Sequence, residues 1–148
     1  MNRFFVVDAS STMKLLVEEA ESQQARLFFG RLENPQPPLL YAPDLLYIEC
    51  ANAVWKYVAH HGYSAQQAQT ALTALGHLAL HAVQTQYLFQ EAFRLSLRLR
   101  ITCYDACYLA LAERLRCPLI TQDVDLIRQV RPHIHVSLHP LAEIVSRS

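Results

Sequence analysis

Seven consecutive residues, 106–112 (ACYLALA), are apolar or aromatic. The helix they predict has no polar stripe before Glu113 and Arg114, and a helix that is apolar all round is buried inside a domain. Asp105 stands at the start of this helix and is therefore expected at the interior or its edge. Thr102 to Asp105 fits the Ser/Thr-x-x-acid pattern of a helix start, where the acid meets free backbone N–H groups. Capping accounts for one such acid taken alone; a chemical role requires other acids converging on the same place.

At 148 residues the chain is read as one domain, residues 1–148, able to bury about 68–70% of its unfolded surface. With 52% hydrophobic and 18% charged residues and only 3 glycines, it reads as compact and helix-rich rather than disordered. No apolar run approaches the roughly 18 residues of a membrane span, and the N-terminal apolar piece is too short for a signal peptide, so a cytoplasmic location is expected. Thirteen basic against thirteen acidic residues exclude the broad positive field of a general nucleic-acid binder, so any such contact has to be local. Cys50, Cys103, Cys107 and Cys117 lack C-x-x-C spacing and are expected as buried reduced thiols.

Residues 3–8 (RFFVVD) form a β-rich run ending in an acid, with Ala-Ser-Ser-Thr as a turn and helix start. Helices over 13–18 and 22–32 follow, closed by the breaker-rich segment 34–38, and 39–42 is a second strand. Asp44 as N-cap and Gly62 as stop signal frame the next helix, Ser64 caps another, and residues 44–80 make a helical hairpin. On its first arm Leu46, Cys50, Ala53, Val54 and Tyr57 share one face, with Glu49 about 60° from Leu46 at the rim. A third strand over 81–85, an amphipathic helix over 88–99, a fourth strand over 118–121, a short helix to about 130, a fifth strand over 134–138 and a last turn over 141–145 complete the chain. His133 and His135 then share one face of the last strand. Short strands alternating with helices imply a three-layer α/β/α domain, a mainly parallel sheet of four to five strands covered on both sides. Neither G-x-G-x-x-G nor G-K-[ST] occurs, so dinucleotide and nucleoside-triphosphate binding have no support.

In such a sheet the ligand crevice lies outside the carboxyl ends of the strands, where Asp8 and Asp123 are both expected. Asp105, near its helix start, and Glu49, in the second turn of its helix, can face the same crevice. Two carboxylates about 5 Å apart repel by about 3 kcal/mol at an effective dielectric near 20, so four together require protons or cations. Hard oxygen ligands of that number suit Mg²⁺ or Mn²⁺ completed by water and phosphate oxygens, and such ions serve phosphodiester hydrolysis.

The four acids also lie in VVDASS, PDLLYIECANA, YDACYLALAERL and LITQD, which in order and spacing resemble the motifs of PIN-domain ribonucleases. The similarity is narrower still to the VapC-type toxins of toxin-antitoxin modules, and it spans nearly the whole chain. The resemblance implies a PIN-like fold and an Mg²⁺- or Mn²⁺-dependent endoribonuclease whose metal and catalytic acids are Asp8, Glu49, Asp105 and Asp123. Ser10, Asn52 and Thr121 match polar positions that orient such a site by hydrogen bonding. RNA as substrate, a small antitoxin partner and a homodimer follow from the same resemblance. The helical hairpin offers Trp55, Tyr57 and Leu72 for the dimer contact, against a core role for all three.

Lys14 near the first motif, and Arg94 and Arg98 four apart on one helix, are candidates for phosphate contact, with a solvated helix face as the ordinary explanation. Asp125 is an extra acid of no assigned role. His77 and His81 are four apart but lack the glutamate of H-E-x-x-H and a third ligand, and the serines after Asp8 have no identifiable base. Two rival readings stay open: a catalytically idle PIN-fold binding module, and a DNA-directed nuclease of related architecture.

Overall fold

The apolar run Phe4–Val7 becomes the middle strand, β1, of a five-stranded sheet that is parallel throughout. In this computed structural model, which describes residues 2–147, the other strands are β2 (Leu39–Pro43), β3 (Leu80–Val83), β4 (Leu119–Ile120) and β5 (Leu138–His139), in the order β3-β2-β1-β4-β5. Val6 lies opposite Tyr41 on one side and Leu119 on the other. The chain steps outward from β1 through β2 to β3, then returns to build β4 and β5 on the other flank. Its topological switch point is therefore the gap between the carboxyl ends of β1 and β4, where open parallel sheets form their ligand crevice.

The helices are α1 (Ala9–Leu16), α2 (Ser22–Phe29), α3 (Leu45–His60), α4 (Ala65–His77), α5 (Phe89–Leu99), α6 (Cys103–Leu115), α7 (Val124–Val130) and α8 (Leu141–Ser146). As its composition predicts, α6 is buried from Ala106 through Ala112 and packs against β1, β2, β4 and α5. Truncating its fully buried Leu109 to alanine is expected to cost about 2–5 kcal/mol. Among the described residues no helix is long and apolar enough to cross a membrane.

Several boundaries differ from expectation for local reasons. Helix α1 starts at Ala9 rather than residue 13, because the Asp8 carboxylate accepts the Ser11 N–H at 2.9 Å and the buried Ser11 and Thr12 hydroxyls donate to the Asp8 carbonyl. Polar residues that looked like a turn are thus satisfied inside a helix. Ser64 caps α4 in a full capping box with Gln67, as expected. Asp44 does not cap α3; its side chain accepts the Thr85 N–H at 3.0 Å and ties the start of α3 to the end of β3. Strand β5 begins four residues late because it pairs only with the two residues of β4. His133 and His135 therefore fall before the strand, and the strand's histidine is His139, which contacts Glu143 at 3.0 Å. All four cysteines are free, and Cys103 is exposed rather than buried.

Arg100 and Arg116, the residues that end α5 and α6, adopt left-handed backbone at φ 57° and φ 52°. For a residue other than glycine this costs about 1–2 kcal/mol. The Gln129 amide supports the first turn by donating to the Leu99 and Arg100 carbonyls, each at 2.9 Å.

Candidate active site

Asp8 sits immediately beyond β1, and its N–H bonds the Ile120 carbonyl at 3.2 Å, which locks it to the end of β4. Its Oδ1 accepts from the Ser10 hydroxyl at 2.7 Å as well as from Ser11 N–H. Ser10 in turn accepts the Gln122 N–H at 2.8 Å and lies 3.3 Å from the Thr121 hydroxyl, which accepts the Asp123 N–H at 3.1 Å. Two loops that flank the switch point are thereby sewn together through one serine. Asp123 then caps α7, with its Oδ1 on the Leu126 N–H at 2.9 Å. Capping is thus a real role of both Asp8 and Asp123, and it fixes one oxygen of each at the crevice.

Glu49 is half-buried on α3 and has a partner the sequence reading overlooked: the Tyr108 phenol, 3% exposed on α6, donates to its Oε1 at 2.6 Å. Tyr108 lies three residues beyond Asp105, on the same face of α6, and that helical spacing was the available signal. Asp105 stands at the mouth of the buried helix, its N–H capped by the Thr102 hydroxyl at 3.2 Å.

The acids feel one another. Burial pushes the Asp8 carboxyl above the usual carboxylate value, against the lowering effect of its Thr121, Ser11 and Ser10 hydrogen bonds. Burial also raises Glu49, opposed by the Tyr108 hydrogen bond and reinforced by the charges of Asp105 and Asp8. Asp105 is raised by burial and then by Asp123. The four expected acids therefore form one electrostatic chain around the switch point. Each raised value reports a negative charge held where it is poorly offset.

No three His, Cys, Asp or Glu side chains among the described residues stand close enough to hold one ion between them. The set is an open chain of oxygen donors rather than a closed cage. It suits Mg²⁺ in kind, because that ion takes one or two carboxylates directly and keeps several waters. Mutual repulsion is what a cation there would relieve.

The other candidates separate. Ser10 and Thr121 belong to the hydrogen-bonded frame, whereas Asn52 is exposed one turn along α3 and takes no part in it. Lys14 points away to Glu19 and Glu21, at 2.7 and 3.3 Å, and is committed to those acids. Arg94 lines a hollow between α5 and α6 with Phe89, Phe93, Cys103 and Cys107. Arg98, although four residues on, donates to the His133 carbonyl at 3.0 Å. Asp125 is exposed and pairs loosely with Arg128 at 3.4 Å.

Residues 5–131 match the PIN domain family. The chain belongs to the PIN-domain family, among its VapC members. It is 33% identical over 123 residues to Ribonuclease VapC3 of Pyrobaculum aerophilum, covering 82% of this chain and 90% of that protein. Among solved structures it resembles PAE2754 from Pyrobaculum aerophilum, with a TM-score of 0.67, 22% identity and 99% and 97% of the two chains covered. It also resembles a chain of a toxin-antitoxin complex from Klebsiella pneumoniae, with a TM-score of 0.58, 20% identity and coverage of 82% and 88%. These likenesses agree with a wholly parallel five-stranded PIN fold flanked by helices.

Proposed function

We propose that this PIN-domain protein is an endoribonuclease that hydrolyses RNA phosphodiester bonds with Mg²⁺ or Mn²⁺, and that it acts as the toxin of a toxin-antitoxin pair. The observation that carries the reading is the placement of Asp8 and Asp123 beyond the carboxyl ends of β1 and β4, each with Oδ1 held by a backbone N–H, where the charges of Glu49 and Asp105 also reach. The name of its relative, Ribonuclease VapC3, supports RNA as the substrate class. A bound divalent ion supplies the Lewis acidity that activates water and stabilises the leaving oxygen. Asp8 and Asp123, each fixed through Oδ1 by backbone N–H groups, are the acids best held to receive it. Asp105 and Glu49 complete the donor set from α6 and α3; Tyr108 holds the Glu49 carboxylate, Ser10 holds that of Asp8, and Thr121 accepts the Asp123 backbone N–H.

The partner chain is proposed to be a small antitoxin, in keeping with the Klebsiella toxin-antitoxin complex that shares the fold. A homodimer is proposed as well. Of the three hairpin residues expected at its contact, only Trp55 is free to serve, at 59% exposure. Tyr57 packs on Tyr63 and donates to Glu19, and Leu72 packs on the core.

The deciding experiment is cleavage of one sequence as single-stranded RNA and as DNA, with Mg²⁺, with Mn²⁺ and with EDTA. RNA cut only with metal upholds the reading. The open spacing of the acids favours one rival, an idle PIN-fold binding module. Failure to cut either strand at millimolar metal decides for it, and equal cleavage of DNA decides for a broader nuclease.

A further inference from the structure

Seven of the thirteen basic residues, all arginine, fall within residues 89–137, so the neutral total conceals a charge that is unevenly placed. Three of them lie along one groove. Its first section, about 300 Å³, is bounded by the three acids Asp105, Asp123 and Asp125 and reaches Arg100 and Gln129. The next section, about 450 Å³, shares Arg100 and Gln129 and continues to Arg98 and His133. The last, about 730 Å³, shares Arg98 and His133 and opens out to Arg116 and His135. Its floor there includes Asn2, Pro118 and Ser137, which precede β1, β4 and β5. The groove therefore leads from the acids at the carboxyl ends of the strands to the amino ends on the β4–β5 flank.

We propose that this groove is the track along which single-stranded RNA leaves the acidic crevice, with Arg100, Arg98 and Arg116 contacting successive phosphates. The proposal rests on the ribonuclease reading above and names where its substrate lies. A strand brought to four carboxylates is repelled by them, and cations placed beyond the acids offset that repulsion. None of the three arginines is in an ion pair among the described residues, and Arg98 retains guanidinium N–H groups beyond the one given to the His133 carbonyl. Glu113 is the acid that lines the far section. The imidazoles of His133 and His135 supply planar faces of the kind on which unpaired bases stack.

Backbone geometry adds an independent observation. Of the three non-glycine residues with positive φ among the described residues, two are Arg100 and Arg116. Arginine stands at two helix ends where glycine is the relaxed choice, and both residues line this groove. The competing account is that each cation favours the negative end of its helix. The two accounts differ in what Arg→Gly does: a purely structural arginine loses stability with its charge, whereas a phosphate-binding one loses RNA while its backbone relaxes.

The test is fluorescence anisotropy of a labelled mixed-sequence 20-nucleotide single-stranded RNA in EDTA, so that binding is read without cleavage. Wild type is compared with Arg98→Gln, Arg100→Gly, Arg116→Gly, their triple combination, and Arg94→Gln, one turn earlier on α5 and outside the lining of the groove. The triple variant is expected to bind roughly tenfold or more weakly at 0.1 M salt, with the slope of log K on log salt reduced by about 2 for three lost contacts. Arg94→Gln should bind as wild type does, and the two glycine variants should melt no lower than wild type. Unchanged affinity and slope in the triple variant overturn the groove, as does an equal loss in Arg94→Gln, lower melting that accounts for the loss, or absence of RNA binding by wild type. Loss of an acidic protein partner with RNA affinity intact overturns it in favour of a protein-docking groove. A wild type that binds RNA through these arginines but never cuts it leaves the groove standing and removes the ribonuclease reading.

Discussion

The Tyr108 phenol donates a 2.6 Å hydrogen bond to Glu49 Oε1, joining the buried helix α6 to α3 at the site. Burial, and then the Glu49 carboxylate, push the phenol well above its ordinary pKa, so it remains a proton donor across the neutral range. The bond engages only one of the two Glu49 oxygens. Tyr108→Phe keeps the ring and deletes only this donor. Because half-exposed Glu49 can recruit water, stability is expected to fall by no more than about 1.5 kcal/mol. RNA cleavage is expected to fall by about 10–100-fold, the usual effect of losing a group that orients a metal ligand. Melting curves and cleavage rates measured on the same preparation check both, and wild-type cleavage by Tyr108→Phe would show that Glu49 needs no such guide.

Asp8→Asn and Asp123→Asn separate capping from chemistry. Asparagine caps a helix as well as aspartate, so the Ser11 and Leu126 N–H groups keep an acceptor while one negative charge disappears. Stability is expected to hold or rise, and cleavage to fall at least about 100-fold because the charge that recruits the ion is gone. Alanine at either position should add a capping loss of about 0.5–2 kcal/mol. Asp105→Asn, whose helix is capped by Thr102 instead, should abolish activity with no capping loss. Full activity in any of the three asparagine variants would remove that acid from the site.

The sheet and the positions of Asp8, Asp105 and Asp123 were legible because each rests on short-range chemistry, an apolar run closed by an acid or a helix apolar all round, whereas Glu49 at the rim of its helix was assigned by resemblance. Asp8 and Asp123 could be placed together since parallel strands carry their carboxyl ends to one edge. What escaped was set by partners that only the folded chain brings together. Lys14 looked available until the chain folded Glu19 and Glu21 onto it. Asn52 looked like a companion of Glu49, but three residues along α3 it faces solvent. Arg94 and Arg98 share a helical spacing, yet Arg98 turns to the His133 carbonyl and Arg94 does not. The late start of β5, which moved His133 and His135 out of the strand, follows from the shortness of β4 rather than from anything in 134–138 itself.

The raised carboxyls make a signed forecast for the metal-free protein. Above the ordinary values of 3.8 for Asp8 and Asp105 and 4.5 for Glu49, the folded state holds protons that the unfolded chain has already released. Stability from these groups therefore falls as pH rises through their raised values, because the folded state binds more protons there. The lowered Glu143 acts in the opposite sense and only as pH falls below its ordinary 4.5. In EDTA these groups are thus expected to make the melting temperature fall as pH rises above their ordinary values of 3.8 and 4.5. Saturating Mg²⁺ or Mn²⁺ should reverse the trend, adding about 2.7 kcal/mol at one hundred times the dissociation constant. Melting across pH with and without metal checks this, and a flat profile in EDTA would mean that neither burial nor neighbouring charge holds protons on these carboxyls.

An antitoxin that silences this site has the same electrostatic problem to solve. Asp8, Glu49, Asp105 and Asp123 need a cation, and an arginine presents one whose planar fork matches a carboxylate through two hydrogen bonds. The expected inhibitor is therefore a short C-terminal segment of the partner lying across the β1–β4 crevice with an arginine among the acids. Such a segment competes with metal, so inhibition should weaken as Mg²⁺ is raised. It should also fail when the partner's arginine is replaced by glutamine while the two chains still co-purify. Cleavage assays on the reconstituted pair, with the intact partner, the arginine variant and a C-terminally truncated form, provide the measurement. Undiminished inhibition by the truncated partner would place the block outside the crevice, since nothing of the segment would then remain among the acids.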